Sequence, residues 1–279
     1  LGVDGAKRIL AVVASPRPGG NSESLARVAL RAVAARGAWT ALVFLRELDI
    51  RFCDGCLACV FRGGECRQAD DIPWLYRTVG DFDGLLLVAP TYLLGVPAQV
   101  KAVMDRSAAY FGRTSDRGPV PAGVIAVAGL PGWDYLTLPT LSQLAYLLGG
   151  RVVGGVIGYA PGPGETLLDR SLLDRVTELA LAVLEERELP PPPGVCPVCY
   201  LPRPAGESEP CPLCLYDPAR PGQHRFTREG LARFALEWML PSRERFLARR
   251  DEVRRAREAL LVHEPAVLRP SGPSDPAPQ

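Results

Sequence analysis

The sequence predicts an α/β protein built on a five-stranded parallel sheet. Over the first 187 residues, strand-sized apolar runs alternate with helix-like segments, five of each. The run Gly84–Pro90 (GLLLVAP) is apolar throughout, as expected of a strand covered on both faces. Strand–helix–strand repeats within one sheet require right-handed crossovers. The pattern fixes the class and leaves the strand order open.

The elements follow in order. Arg8–Ala14 reads as a buried strand and runs into a polar, Gly-rich loop. Ser22–Arg36, rich in Ala, Leu and Arg, is the first helix, and Thr40–Arg46 the second strand. A Cys-rich loop follows, then a helix from Asp70 to about Val79. After the strand Gly84–Pro90 come a helix over Ala98–Tyr110, a strand over Gly123–Ala128 and a helix over Leu136–Leu148. Arg151–Tyr159 is the fifth strand and Thr166–Glu186 a long helix.

Pro190–Pro193 is a proline run that cannot continue a helix, so it marks a boundary. We divide the chain into an α/β domain (1–189), a Pro-rich linker with a four-Cys knuckle (190–218), a basic helical tail (219–263) and a terminus expected to be disordered (264–279). In the tail, Thr227 is placed to cap a helix whose apolar face is Leu231, Phe234, Ala235, Trp238 and Met239, with Pro241 ending it. A second helix spaces Phe246, Val253 and Leu260 seven apart, a narrow seam suited to packing on a neighbour.

Composition excludes several classes. No apolar run approaches the roughly 18 residues of a membrane span. The net charge of +1 argues against a chain built to coat nucleic acid. Residues 220–263 hold 11 Arg against 6 acidic residues, interleaved at helical spacing, which reads as an ion-paired surface, so nucleic acid is not an expected partner. Leu1–Arg8 lacks the apolar core and cleavage site of a signal peptide, so the expected compartment is the reducing cytoplasm. There the 8 Cys, in two tight groups, are expected to bind metal rather than form disulfides.

The loop Ser15-Pro-Arg-Pro-Gly-Gly-Asn-Ser-Glu-Ser24 opens directly into a helix. A phosphate needs several donors converging on a small volume, and a helix N-terminus supplies backbone N–H groups and a favourable dipole. Ser15, Asn21, Ser22 and Ser24 add side-chain donors, Arg17 adds charge, and Gly19 and Gly20 admit close approach. Neither G-x-x-x-x-G-K-[ST] nor G-x-G-x-x-G is present.

Ser-Pro-Arg-x-x-x-Asn-Ser resembles the phosphate loop of the NADPH-dependent FMN reductases of the flavodoxin-like superfamily. Two further segments fit that group: Asp70-Asp71-Ile72 before a helix, and Asp83 leading into Ala89-Pro-Thr-Tyr-Leu-Leu-Gly-Val-Pro97, followed by Lys101 and Asp105-Arg106. The resemblance implies a flavodoxin-like three-layer sandwich that binds FMN at the carboxyl ends of its strands. It implies that Pro90, Thr91, Tyr92, Leu93, Leu94 and Gly95 wrap the flavin ring. Tyr92 and Leu93 would offer planar and apolar surface, and Gly95 close backbone approach. The loop at Gly129 resembles the Gly-containing loop of the family, with Pro131-Gly132 standing in place of its paired Gly.

The first Cys group, Cys53-x2-Cys56-x2-Cys59-x6-Cys66, is compact enough for thiolates to ligate several irons of one cluster. It is similar to the motif of the iron–sulfur flavoproteins, which hold a 4Fe–4S cluster beside FMN. Zinc or free thiols are the alternatives. His224 and His263 are distant in sequence, so nucleophilic cysteine catalysis with a local partner has no support, and no catalytic acid or base is assigned. In the second group, Cys196-Pro-Val-Cys199 and Cys211-Pro-Leu-Cys214 form two knuckles resembling a zinc ribbon or a rubredoxin-type pair. Zinc is preferred and iron stays open, because Tyr200 and Leu215 stand where a Gly often completes such knuckles.

These readings point to an FMN-dependent electron-transfer oxidoreductase resembling iron–sulfur flavoproteins. Its expected donor is NAD(P)H or a ferredoxin-type protein, and its expected state a homo-oligomer. The alternatives are an NAD(P)H-dependent FMN or quinone reductase without a cluster, and a redox-sensing flavoprotein whose tail docks a macromolecular partner.

Overall fold

The structure, a computed structural model, describes residues 5–61, 66–110, 118–203, 209–221, 223–227, 230 and 240–260. Five strands form one sheet: β1 (Arg8–Val13), β2 (Trp39–Phe44), β3 (Gly84–Pro90), β4 (Val120–Ala128) and β5 (Gly150–Tyr159). Their order is β2-β1-β3-β4-β5 and every pairing is parallel. This is the flavodoxin-like order, in which the chain reverses direction across the sheet between β1 and β3.

Helices cover both faces. Helices α1 (Asn21–Ala34) and α6 (Arg170–Glu185) pack on one side, where Leu25, Ala29, Val33, Val176 and Leu179 meet Ile9, Ala11, Leu86 and Ile125. On the other side α3 (Ile72–Gly80), α4 (Ala98–Arg106) and α5 (Thr137–Leu147) bring Leu75, Tyr76, Val100, Val103, Leu141 and Leu144 onto Leu10, Leu85 and Leu87. A short α2 (Ala58–Phe61) lies within the Cys-rich loop, and α7 (Leu240–Leu260) approaches it from the C-terminal tail. The continuous apolar run of β3 is the sheet's centre, buried from Gly84 to Ala89.

Several boundaries differ from the sequence reading. Residues Leu45–Glu47 leave β2 for a 3-10 turn. Strand β4 begins at Val120 and includes Pro121, paired in register with Arg151. Helix α6 starts at Arg170, because Asp169 caps it by accepting from the Leu172 N–H at 3.0 Å; Glu165–Leu168 form a separate 3-10 turn. Thr227 makes the expected cap, its hydroxyl accepting from the Gly230 N–H at 2.9 Å. Pro241, expected to end that helix, is the second residue of α7. Leu231, Phe234, Ala235, Trp238, Met239 and the terminus from 264 lie outside the described residues, as do the side chains of Phe246, Val253 and Leu260. Among the described residues no helix is long and apolar enough to cross a membrane.

Candidate functional site

Because all strands run the same way, the loops after β1, β3, β4 and β5 gather at one edge of the sheet. They are tied there by backbone hydrogen bonds: Ala14 N–H to Val88 O at 2.8 Å, Thr91 N–H to Val127 O at 2.7 Å and Ala160 N–H to Ala128 O at 2.9 Å. The loop Ser15–Gly20 feeds α1, whose first-turn N–H groups have no intrahelical acceptor. Ser15 and Ser22 are buried, Arg17 is exposed and Ser24 half-buried. The Ser15 hydroxyl closes the loop on itself, accepting from the Arg17 N–H at 3.2 Å.

Asn21 joins two loops. Its amide donates to Ala160 O and Gly162 O at 3.3 and 2.8 Å, and its oxygen accepts from Gly164 N–H at 2.7 Å and the Thr166 hydroxyl at 3.2 Å. The side chain therefore fixes the start of α1 to the segment after β5. Glu23, not singled out from the sequence, braces the same loop: it accepts from Gly19 N–H at 2.9 Å and pairs with Arg27 and Arg46 at 2.8 and 3.3 Å. Burial works to raise its pKa, but the Gly19 N–H and the two guanidinium groups hold it below the usual carboxylate range.

The segment after β3 is a tight turn. Tyr92 N–H donates to Gly95 O at 2.7 Å and Gly95 N–H returns to Tyr92 O at 3.2 Å, with Leu93 and Leu94 at φ 46° and 71°. Two positive φ values make this a turn of the I′ kind, normally built from Gly or Asn. Here β-turn chemistry alone would not choose Leu. Both leucines are nonetheless exposed, Leu93 at 90%, and Tyr92 stands beside them. Thr91 anchors the turn through its hydroxyl, 2.9 Å from that of Thr137, and Pro90 is half-buried at the strand end. Gly129, exposed, leads into Leu130-Pro131-Gly132-Trp133, a turn closed by Trp133 N–H to Leu130 O at 3.3 Å with Gly132 at φ 79°, a conformation that favours glycine. Tyr159 reaches Asp134 across this edge at 3.3 Å. The arrangement offers backbone donors at one end and uncovered apolar and aromatic side chains at the other.

The first Cys group surrounds one pocket. Cys53, Cys56, Cys59 and Cys66 all line it, with Asp54, Arg67, Asp105 and Arg106 among their neighbours. Left-handed residues Gly55 and Leu57 curl the loop, and Gly55 N–H points at the Cys53 sulfur at 3.4 Å. Burial pushes the Cys59 thiol up, and the nearby Cys66, Cys53 and Cys56 thiols add to it. Arg67, 2.6 Å from Asp54, draws that carboxyl down to about 2. The loop is held from below by Asp70, which takes two hydrogen bonds from Arg106 and one from Arg51 N–H at 3.0 Å.

The second group forms a closed centre. All four side chains are buried and their sulfurs lie within 4.8 Å of one another, the only such four-cysteine set among the described residues. Cys196 Sγ is 3.5 Å from Cys214 Sγ, and Cys199 Sγ 3.7 Å from Cys211 Sγ. A tetrahedron of roughly 2.3 Å zinc–sulfur bonds has an edge of about 3.8 Å, so the spacing fits one ion. The two knuckles repeat each other: Tyr200 N–H bonds Cys196 O at 2.9 Å and Leu215 N–H bonds Cys211 O at 2.7 Å. Tyr200 and Leu215, at φ 60° each, take the left-handed conformation a Gly would supply. The module packs on the sheet domain, where Tyr146 of α5 stacks on Phe226 at 5.4 Å and Tyr200 lies against Gly155 of β5.

A family model described as NADPH-dependent FMN reductase matches residues 7–161. The chain is similar to an iron–sulfur flavoprotein of Methanocaldococcus jannaschii, 30% identical over 186 residues that cover 64% of this chain and 96% of that protein. It is similar to an iron–sulfur flavoprotein of Archaeoglobus fulgidus, 30% identical over 158 residues, 57% of this chain and 71% of that one. A solved structure described as a flavone reductase superposes on 95% of this chain and 100% of its own, with a TM-score of 0.70 at 17% identity. That likeness of fold extends past the sheet into the C-terminal extension.

Proposed function

Because the chain belongs to the NADPH-dependent FMN reductase family and groups there with the iron–sulfur flavoproteins, it is an FMN-dependent oxidoreductase, and we propose that it exchanges electron pairs for single electrons. The observation that carries this reading is the pocket lined by all four cysteines of the first group. FMN, when bound, accepts two electrons from a hydride donor and releases them singly, and a 4Fe–4S cluster carries one at a time.

The donor set fits these groups. Ser15, Arg17, Ser22 and Ser24 with the first-turn N–H groups of α1 are the phosphate donors of this proposal, and Asn21 and Glu23 hold that loop in shape. Pro90, Thr91, Tyr92, Leu93, Leu94, Gly95 and Gly129 frame the ring and keep water from it. Cys53, Cys56, Cys59 and Cys66, which line one pocket, are the cluster ligands of this proposal. Cys196, Cys199, Cys211 and Cys214 hold a structural zinc, stabilising a segment too small for its own core. The reductase family implies an NAD(P)H-type donor. We further propose a ferredoxin-type alternative donor, a homo-oligomer, a cytoplasmic setting, and the division at 189/190 between the flavin domain and the knuckle.

Anaerobic purification followed by flavin, iron, sulfide and zinc analysis tests the reading. The expected result is FMN, iron with matching sulfide, one zinc per chain, and visible absorbance that bleaches on reduction. A folded, reconstituted sample that stays colourless overturns it. Flavin with NADPH turnover but no sulfide supports the cluster-free reductase instead.

A further inference from the structure

Arg106 is an arginine in an apolar setting, on the last turn of α4, with 1% of its side chain exposed. A guanidinium has five N–H donors in a fixed fork, and in a buried site each needs an acceptor. Nη1 donates to Asp70 Oδ2 at 2.6 Å and to Arg51 O at 3.0 Å, and Nη2 donates to Asp70 Oδ1 at 3.1 Å. Nε is buried and meets no acceptor in good hydrogen-bond geometry, and beyond Asp70 and Arg51 O the side chain that interacts with the guanidinium is Cys66. Leaving such a group unsatisfied is unfavourable, so an acceptor belongs beside it. Arg106 lines the pocket of the four first-group thiols, whereas Asp70 does not. The ion pair therefore turns its positive end to the cysteines and its negative end away from them.

We propose that Arg106 is the residue that sets the reduction potential of the first four-cysteine centre, its fixed guanidinium stabilising the electron added there. The inference rests on the cluster reading above. A cluster gains negative charge on reduction, and positive groups and N–H donors near its sulfurs favour the reduced form. The other charged groups facing the pocket are in exposed, screened pairs: Asp54 with Arg67, and Asp105 with Lys101. Asp70 is the rigid mount that keeps the guanidinium in this orientation.

The test is potentiometric titration of the full-length, cluster-loaded protein, with iron and sulfide measured in each variant. Arg106→Gln is expected to disfavour reduction at least tenfold, a shift of about 59 mV to more negative potential for a one-electron centre. Arg106→Lys keeps the charge and loses the Nε–H, so it is expected to recover part of the shift. Because Arg106→Gln leaves Asp70 buried without its partner, the neutral pair Asp70→Asn with Arg106→Gln is measured alongside it. An unmoved potential in a fully loaded Gln variant or in the neutral pair overturns the inference while leaving the cluster reading intact. A wild-type protein without iron and sulfide overturns both.

Discussion

The carbonyl of Leu94, a residue at φ 71°, accepts a 2.8 Å hydrogen bond from the N–H of Leu136, so a strained turn is pinned by the segment that starts α5. The left-handed conformation costs a non-glycine residue about 1–2 kcal/mol, and glycine in its place loses roughly 0.5–1 kcal/mol in chain entropy. Leu94→Gly is therefore expected to stabilise the flavin-free protein by up to about 1 kcal/mol, raising Tm by roughly 2–4 °C. It should also weaken FMN binding, since the turn loses an apolar side chain and its rigidity. A lower Tm in thermal unfolding would show that the turn is not strained.

Asp70 and Arg106 make a buried, bidentate pair, so removing one partner strands the other. Asp70→Ala is expected to cost about 3–5 kcal/mol, read as a lower urea midpoint. The pair also sets an acid limit. Burial works to raise the Asp70 pKa, but its hydrogen bonds from Arg106 and Arg51 hold it below the usual carboxylate range. A carboxyl depressed in the folded state adds stability above its unfolded pKa and loses it as pH falls through the folded value. Wild type should therefore lose stability below about pH 4, and the pH slope there should shrink in Asp70→Asn.

What the sequence made legible follows from what its periodicity measures. The run Gly84–Pro90 announced β3 to the residue because a strand buried on both faces has no polar member. The edges were less legible: Asp169 outcompetes Thr166 as a cap only because its carboxylate meets the Leu172 N–H in three dimensions. The Cys spacing signalled two metal groups, yet only the fold distinguishes a set of sulfurs within 4.8 Å from four thiols spread around a pocket. The hydrogen bonds of Asn21 to residues 160–166 span more than a hundred positions and leave no local trace in the sequence. Glu23 contacts Gly19 and Arg27 only four residues away, and as an acidic residue in the first turn of α1 it is a helix-start signal; its pairing with Arg46, 23 positions on, is what only the fold reveals.

Asn21 as a clamp makes a separable prediction. Asn21→Ala leaves the Gly162 carbonyl and the Gly164 N–H without their partner and should cost about 1–3 kcal/mol. Hydrogen exchange should speed up across 160–166 as well as at the start of α1. Faster exchange confined to α1 would mean that the side chain does not join the two.

The proposed zinc is a folding element for the knuckles rather than for the sheet. Cys199→Ser should abolish zinc binding and expose the segment 194–216 to protease, while FMN stays bound to the α/β domain. Simultaneous loss of flavin and zinc in this variant would show that the two units do not fold separately.

The docking of that module turns on one glycine. An ideal Cβ on Gly155 would lie 2.9 Å from Tyr200 Cε1 and 3.0 Å from Cζ, closer than carbon atoms approach. Tyr200 cannot yield easily: it is 4% exposed, its N–H is bonded to Cys196 O at 2.9 Å, and its backbone sits at φ 60° between the ligands Cys199 and Cys211. Gly155→Ala should therefore cost about 1–3 kcal/mol by overpacking, and do so by lifting the knuckle from β5 rather than by breaking the metal centre. Removing the ring tests this. In a Tyr200→Gly background, which also suits the left-handed backbone, Gly155→Ala should cost almost nothing, giving a coupling energy close to its full effect. Equal costs in the two backgrounds would mean that the alanine strains β5 itself, and that Tyr200 is not what holds the module to the sheet.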